Sequence, residues 1–391
     1  MNDAEDPVKR RNAVKRSNIE RRDFLKLGAG AGGAMMTMAT MTGALAALGA
    51  EAAAQGQAQG KGEAWWEAHP GKAGVGRPIS IDMHAHWVPE PYAKALAELG
   101  HPVANPFPLD FDLDKRRQWM DQHGVQMHVL TMSGQAPWEW ATAEQGAHLA
   151  QIINDAAVAA HTAFPDRFVA GIAMQVRDPV TALKELNRMA GKPGMRAVHL
   201  PDSVGRRDYL FEPDFEPVLA RIEELGYPII FHQLDGDANS YSGGRVDGPP
   251  NLTAGLDAPF EHTVEATKFI VSGTLDKFPK LEIVLPHAGG AFPYLAGRVE
   301  HFLYHMGGGG VKIERPVREY VRRFHYDYLI YYPEAFRFLA EMVGYDRIVV
   351  GTDSFAAKDI QYPNDVLDQF NLPSGDRDLI LRGNAMRLLH L

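Results

Sequence analysis

The chain has 391 residues, 45% of them hydrophobic and 23% charged, a balance that can bury a large core and excludes a disordered polymer. A formal charge of −9 provides no basic footprint for nucleic acid. Cysteine is absent, which excludes disulfides, thiolate metal sites and a cysteine nucleophile together, and leaves 16 histidines to carry any soft-ligand chemistry.

Residues 1–54 read as a targeting segment rather than as fold. A basic stretch from Lys9 to Arg16 leads to Arg21-Arg22-Asp23-Phe24-Leu25-Lys26 and then to an uncharged run from Leu27 to Ala50. That order resembles a bacterial Tat export signal, and Ala50, Ala52 and Ala54 offer small-residue cleavage sites. The uncharged run is long enough to span a bilayer, but its Gly, Ala and Thr content makes it weakly apolar. Cleavage, with no stable membrane anchor afterwards, is therefore the expectation. The implied partner is the Tat machinery, which carries proteins already folded, and the implied location is the periplasm. Residues 55–77, with a Trp65-Trp66 pair, read as a linker or arm suited to an oligomer interface.

From residue 78 to 391, short apolar runs alternate with helical patterns, the signature of repeated βα units around a parallel sheet. The runs are Ile79–His86, Val125–Met132, Phe168–Gln175, Ala197–Leu200, Pro228–His232, Leu281–His287, Phe324–Ile330 and Arg347–Thr352. Eight runs fit a (β/α)8 TIM barrel. Between them, apolar residues recur at helical spacing, as in Leu149, Ile152, Ile153 and Ala156, or Val218, Leu219, Ile222 and Leu225. Asp178-Pro179, Asp214 and Pro333 are suitable helix openers. The long Gly-, Asp- and Pro-rich stretch from Leu234 to Leu256 follows the fifth run, on the face where barrels place their sites, and is expected to cover the pocket. Gly307–Gly310 lacks the lysine and the strand-to-helix setting of a phosphate-binding loop and reads as a flexible connection.

The ends of the runs carry the chemistry. The first ends in His84-Ala85-His86, which a regular strand would aim at one face; the fifth ends in His232, the sixth in His287, and the eighth leads into Asp353. Side chains able to bind a metal or transfer a proton thus arrive at one rim from four strand ends. Imidazole and carboxylate donors suit zinc first, and also admit manganese, iron, cobalt or nickel.

These residues also carry a resemblance. Asp82-Met83-His84-Ala85-His86, Phe215-Glu216-Pro217 leading to Phe231-His232, Pro286-His287-Ala288-Gly289-Gly290-Ala291-Phe292-Pro293 with Gly297-Arg298, and Gly351-Thr352-Asp353-Ser354 together resemble the amidohydrolase superfamily. Within it they are similar to the branch of 2-amino-3-carboxymuconate 6-semialdehyde decarboxylase and the resorcylate-type decarboxylases, over residues 78–390. The resemblance implies that His84, His86, His232 and Asp353 bind one divalent metal, with His287 as the catalytic base and Asp353 able to shuttle a proton. Binuclear relatives place a carboxylated lysine after strand four; here Ala197-Val198-His199-Leu200 has none, so one metal is expected, and His199 is left to touch substrate or water or to serve structure.

The branch favours decarboxylation of an aromatic or muconate-like acid, with a metal-activated water or metal-bound substrate and His287 as acid or base. The same apparatus would serve a metal-dependent hydrolase of an ester, lactone or amide, and a non-catalytic periplasmic metal-binding protein is a third possibility, against which His287 argues. The early substrate-binding arginine of the named decarboxylase has no counterpart in residues 106–112, and Arg116 and Arg117 read as surface charge. Arg298 matches a family position, where it either contacts substrate or pins a helix. Trp87 and Phe292, with Trp138, Trp140, Tyr331 and Tyr332, are candidates for the wall of a ring-binding pocket or for ordinary core. Relatives imply a homodimer or higher oligomer.

Overall fold

The structure, a computed structural model, describes residues 80–103, 107–236, 238–246, 252–306, 311, 313–354 and 363–391. Residues 1–54, expected as a signal segment, residues 55–77, expected as an arm, Gly307–Gly310 and part of the loop after the fifth strand lie outside the described residues. No helix among the described residues is long and apolar enough to cross a membrane.

Eight parallel strands follow one another in chain order: β1 (Ser80–His86), β2 (Val125–Thr131), β3 (Phe168–Ile172), β4 (Met195–Pro201), β5 (Ile229–His232), β6 (Ile283–Leu285), β7 (Phe324–Asp327) and β8 (Ile348–Val349). Parallel bridges Asp82–Val350 and Ala85–Ser354 join the last strand to the first, so the sheet closes on itself as the (β/α)8 reading requires. A helix follows each strand: α1 (Leu113–Gln122), α2 (Ala143–Ala163), α3 (Pro179–Met189), α4 (Glu216–Leu225), α5 (Ala258–Val271), α6 (Phe292–His305), α7 (Pro333–Val343) and α8 (Asn384–Leu389).

Local sequence explains where several helices begin. Thr142 and Gln145 form a reciprocal capping box on α2, and Asp178 accepts from the amides of Val180 and Thr181 ahead of Pro179 on α3. The expected opener Asp214 sits instead in a single 3-10 turn, Pro213–Phe215, and α4 starts at Glu216. Strands β6 and β8 are shorter than their apolar runs because the chain leaves the ladder early, to form the turns that carry His287 and Asp353.

Two apolar layers hold the barrel. The outer layer lies between strands and helices and includes Leu130, Ile172, Leu200, Phe231, Phe269 and Phe324. A second cluster joins Ile81, Met83, Met127, Val129, Val169, Ala197, Ile230, Val284 and Val349. Residues from strands around the whole ring can touch one another only inside it, so this cluster is the barrel interior. Ala385, Leu388 and Leu389 of α8 belong to the same cluster and plug one end, leaving the strands' carboxyl ends for the site.

Strand β1 is not regular. Asp82 pairs with His128 and Ala85 with Leu130, so three steps along β1 match two along β2. Ile81 is opposite Met127, an interior position, while Asp82 is opposite His128 on the outer side. Beyond the extra residue the parity is reversed: Ala85 faces Leu130 of the outer layer and His86 faces Thr131. The bulge therefore turns both histidines into the barrel, where a regular strand would have left them on the face of Asp82.

Candidate metal centre

His84 and His86 at the end of β1, His232 at the end of β5, His287 just after β6 and Asp353 just after β8 meet at one point. Ligand atoms of His84, His232, His287 and Asp353 all lie within 4.8 Å of one another. His86 joins them, its Nε2 2.9 Å from Asp353 Oδ1, and His84 Nε2 is 3.4 Å from the same oxygen. The His86 ring is 4.5 Å from that of His232, centre to centre.

The outward nitrogens determine what the inward ones can do. His84 Nδ1 is 2.8 Å from Asp327 Oδ2, His86 Nδ1 is 3.0 Å from the Met132 carbonyl, and His232 Nδ1 is 2.9 Å from the Gln233 carbonyl. A carbonyl or carboxylate oxygen can only accept, so each Nδ1 is the protonated donor and each neutral ring turns a bare Nε2 inward. Burial pushes the imidazoles of His84 and His232 below their ordinary range, which keeps those rings neutral.

Lone pairs thus face a carboxylate, and the buried His84 Nε2 has no hydrogen-bond partner. A cation placed among these atoms would satisfy all of them, and the donor set of imidazole nitrogens and one carboxylate fits a divalent metal. Second contacts of this kind, from ligand imidazole to carboxylate or carbonyl, orient metal-binding histidines.

Backbone strain is concentrated here. His287 and Ala288 have φ of 50° and 55°, Gly289 and Gly290 follow at 71° and 61°, and Asp353 has φ of 53°. Gly351 is a packing necessity: a Cβ there would lie 2.7 Å from Asp327 Cβ and 2.9 Å from His84 Cβ. Its missing side chain lets the end of β8 pass between β7 and β1 and bring Asp353 to the centre.

Three participants are not evident from the sequence patterns. Asp327, the last residue of β7, accepts from His84 Nδ1 and from the amides of Ala288 and Leu329. His262 on α5 places Nε2 2.9 Å from His287 Nδ1, and Asp202, just beyond β4, faces His262 Nδ1 at 3.0 Å. Asp327 and Asp202 were within reach of the strand-end reasoning, since each stands at the carboxyl end of its strand. For His262, on a helix, the sequence carries no comparable signal.

The remaining candidates are placed as follows. His199, 3% exposed, lies on the interior side of β4 with Nδ1 unpartnered, and burial lowers its pKa to about 3. Strand β4 brings no lysine to the site. Trp87 belongs to the outer layer, where Nε1 donates to the Asp110 carbonyl, and Phe292 is core, its ring against Phe324. Trp138 is fully buried, while Tyr331 and Tyr332 are exposed. Arg298 is exposed on α6, its guanidinium over the Phe302 ring.

The expectation of surface charge fails for Arg116, which is 0% exposed: its guanidinium donates to the His86 carbonyl, His128 Nδ1 and Asp110 Oδ1. It holds the end of β1 from behind, an arrangement that helical periodicity on α1 could not reveal. Arg117 stays partly exposed, paired with Asp114 and stacked over Phe164. The loop after β5 lines two cavities that share Leu234, Asp235 and Asn239, one of about 240 Å³ beside Trp140 and one of about 280 Å³ beside Gln233 and Glu261.

A family model described as amidohydrolase matches residues 81–391, most of the chain. The protein belongs to the amidohydrolase family. Among curated relatives, the gamma-resorcylate decarboxylase of Rhizobium radiobacter is 28% identical over 331 residues, covering 80% of this amidohydrolase and 95% of the relative. The 2-amino-3-carboxymuconate-6-semialdehyde decarboxylase of Dictyostelium discoideum is 23% identical over 340 residues, covering 81% and 92%. Among solved structures, a dihydroxybenzoic acid decarboxylase from Polaromonas sp. JS666, with bound manganese and the inhibitor 2-nitroresorcinol, superposes with a TM-score of 0.68 at 23% identity, covering 80% and 97%. This amidohydrolase therefore shares its barrel with that enzyme.

Proposed function

We propose that this amidohydrolase is a mononuclear, divalent-metal-dependent decarboxylase of an aromatic or muconate-like carboxylic acid. The observation that carries the metal is the pairing of His86 Nε2 with Asp353 Oδ1 at 2.9 Å while His86 Nδ1 is committed to the Met132 carbonyl. His84, His86, His232 and Asp353 would hold the ion; zinc suits the donors best, and manganese is the metal named in the Polaromonas structure. Bound there, the ion would supply Lewis-acid polarisation and offset negative charge developing on the substrate.

His287 differs from the other imidazoles. Its Nδ1 meets another histidine rather than an oxygen, and its Nε2 lies 3.7 Å from Asp353 Oδ2, facing the centre. Through its Nε2 it can take up a proton and, as the imidazolium, pass it to the carbon bearing the carboxylate. The bond from that carbon to the carboxylate then breaks, its electron pair stays with the carbon, and carbon dioxide leaves, so one proton is consumed per turnover. The names of the curated relatives support decarboxylation over hydrolysis, and an imidazole backed by a second imidazole is superfluous in a mere metal holder.

Metal analysis of the mature protein, combined with a carbon dioxide assay on 2,6-dihydroxybenzoate, 5-carboxyvanillate and muconate-type acids, tests the reading. Esters, lactones and amides are run in parallel. Formation of a new acid with an alcohol or amine, and no carbon dioxide from any acid, would establish the hydrolase instead.

The twin-arginine pattern Arg21-Arg22 with Phe24-Leu25-Lys26 supports export of the folded protein by the Tat route to the periplasm. Replacing Arg21 and Arg22 by lysine should then retain the protein in the cytoplasm. A homodimer or larger homo-oligomer completes the proposal, and sedimentation of the mature protein tests it.

A further inference from the structure

We propose that Asp202 and His262 are positioning residues for His287, fixing it as the tautomer with hydrogen on Nδ1 and the lone pair on Nε2 turned to the reaction centre. The inference rests on the reading of His287 as the proton-transfer group and extends it to two residues that touch neither metal ligands nor the space above them.

The order of protons follows from the one group whose role is fixed. Asp202 is 1% exposed and His262 is 0% exposed. His262 Nδ1 lies 3.0 Å and 2.9 Å from the two carboxylate oxygens of Asp202. A carboxylate accepts, so His262 Nδ1 donates; a neutral His262 then presents a bare Nε2. That atom is 2.9 Å from His287 Nδ1, which must donate in turn. The lone pair left on His287 is on Nε2, the nitrogen that faces Asp353. The carboxylate thus sets the proton position two rings away.

Packing holds the relay together. Gly290 has no side chain because the Pro259 carbonyl fills its place: a Cβ there would lie 1.7 Å from that oxygen. The Ala291 amide donates to Thr263 Oγ1 at 2.8 Å, next to His262 in the chain. These two contacts seat the turn carrying His287 directly on the first turns of α5. Without them the 2.9 Å spacing between the rings would depend on side-chain rotamers alone.

The test uses the zinc-loaded mature protein with ¹⁵N-labelled histidine, in wild type, His262→Leu, His262→Gln and Asp202→Asn, with zinc content and melting temperature verified for each. In wild type the ¹⁵N shifts should report hydrogen on Nδ1 of His287. In His262→Leu the ring should populate both tautomers, and carbon dioxide release from 2,6-dihydroxybenzoate should fall about 10²-fold in kcat with KM nearly unchanged. His262→Gln, whose amide can donate to Asp202 and accept from His287, should restore the tautomer and part of kcat. A His287 tautomer unchanged in His262→Leu, or hydrogen on Nε2 in wild type, would overturn the proposal. If wild type released no carbon dioxide but showed the expected tautomers, the reading of the reaction would fail while the positioning role stood.

Discussion

Asp327 Oδ2 lies 2.8 Å from His84 Nδ1 while Asp327 Oδ1 accepts from the Ala288 amide at 2.8 Å, so one carboxylate ties β1's metal-facing imidazole to the turn that carries His287. An asparagine there can turn an N–H toward His84 and favour hydrogen on the nitrogen that should face the ion. Asp327→Asn is expected to weaken metal binding by about 10- to 100-fold. Competition with a chelator of known affinity measures it; unchanged affinity would remove Asp327 from the supporting structure.

Gly351 gives a second prediction. An added methyl would collide with Cβ atoms of both Asp327 and His84, backbone-anchored positions that cannot swing aside. Gly351→Ala should lower stability by about 1–3 kcal/mol and reduce metal occupancy together. Thermal unfolding and metal analysis of one preparation check both. A stable variant with full metal content would show that β8 can shift outward without cost.

Arg116 is predicted to matter for stability as much as for the site. Its contacts include the His86 carbonyl at 2.8 Å, His128 at 3.1 Å and Asp110 at 3.2 Å. Arg116→Met leaves Asp110 with no ion-pair partner in a buried setting and should cost about 3–5 kcal/mol in denaturant unfolding. Arg116→Met combined with Asp110→Asn should recover part of that loss. If it recovers none, the ion pair is not what Arg116 contributes.

Acid sensitivity follows from His128. Burial, reinforced by the charges of Arg116 and Arg167, holds its imidazole well below the ordinary 6.5. With the folded value below the unfolded one, the stability it contributes is complete above 6.5 and is lost as pH falls from there toward the folded value, because the unfolded chain takes up the proton first. The denaturant midpoint should therefore drop on acidification below 6.5. In His128→Asn the drop should be shallower, and an identical slope would assign the sensitivity to other groups.

Much of the barrel was legible because buried parallel strands are short apolar runs, and all eight runs correspond to strands. Their ends were legible too, since His232, His287 and Asp353 each stand just where an apolar run stops. Harder to read were features that depend on register and on packing across the chain. The first run contains no mark of its extra residue. Arg116 occupies a helical position that by pattern alone belongs to solvent, and only the depth of the packed chain shows that it points inward. Trp87 directly follows His86, yet strand alternation sends it into the outer layer, and Phe292 opens α6 and packs there against Phe324.

The irregularity in β1 has a consequence for how this centre can change. Deleting Met83 would restore one-to-one pairing, leaving Asp82 opposite His128 and Ala85 opposite Leu130, with His84 and His86 still turned into the barrel. The extra residue is thus dispensable for the two ligands, whose facing is fixed by the pairing of Ala85 and His86 with Leu130 and Thr131. A single-codon deletion of Met83 is therefore expected to keep the metal, whereas deletion of Ala85 would set His84 and His86 on opposite faces and lose it.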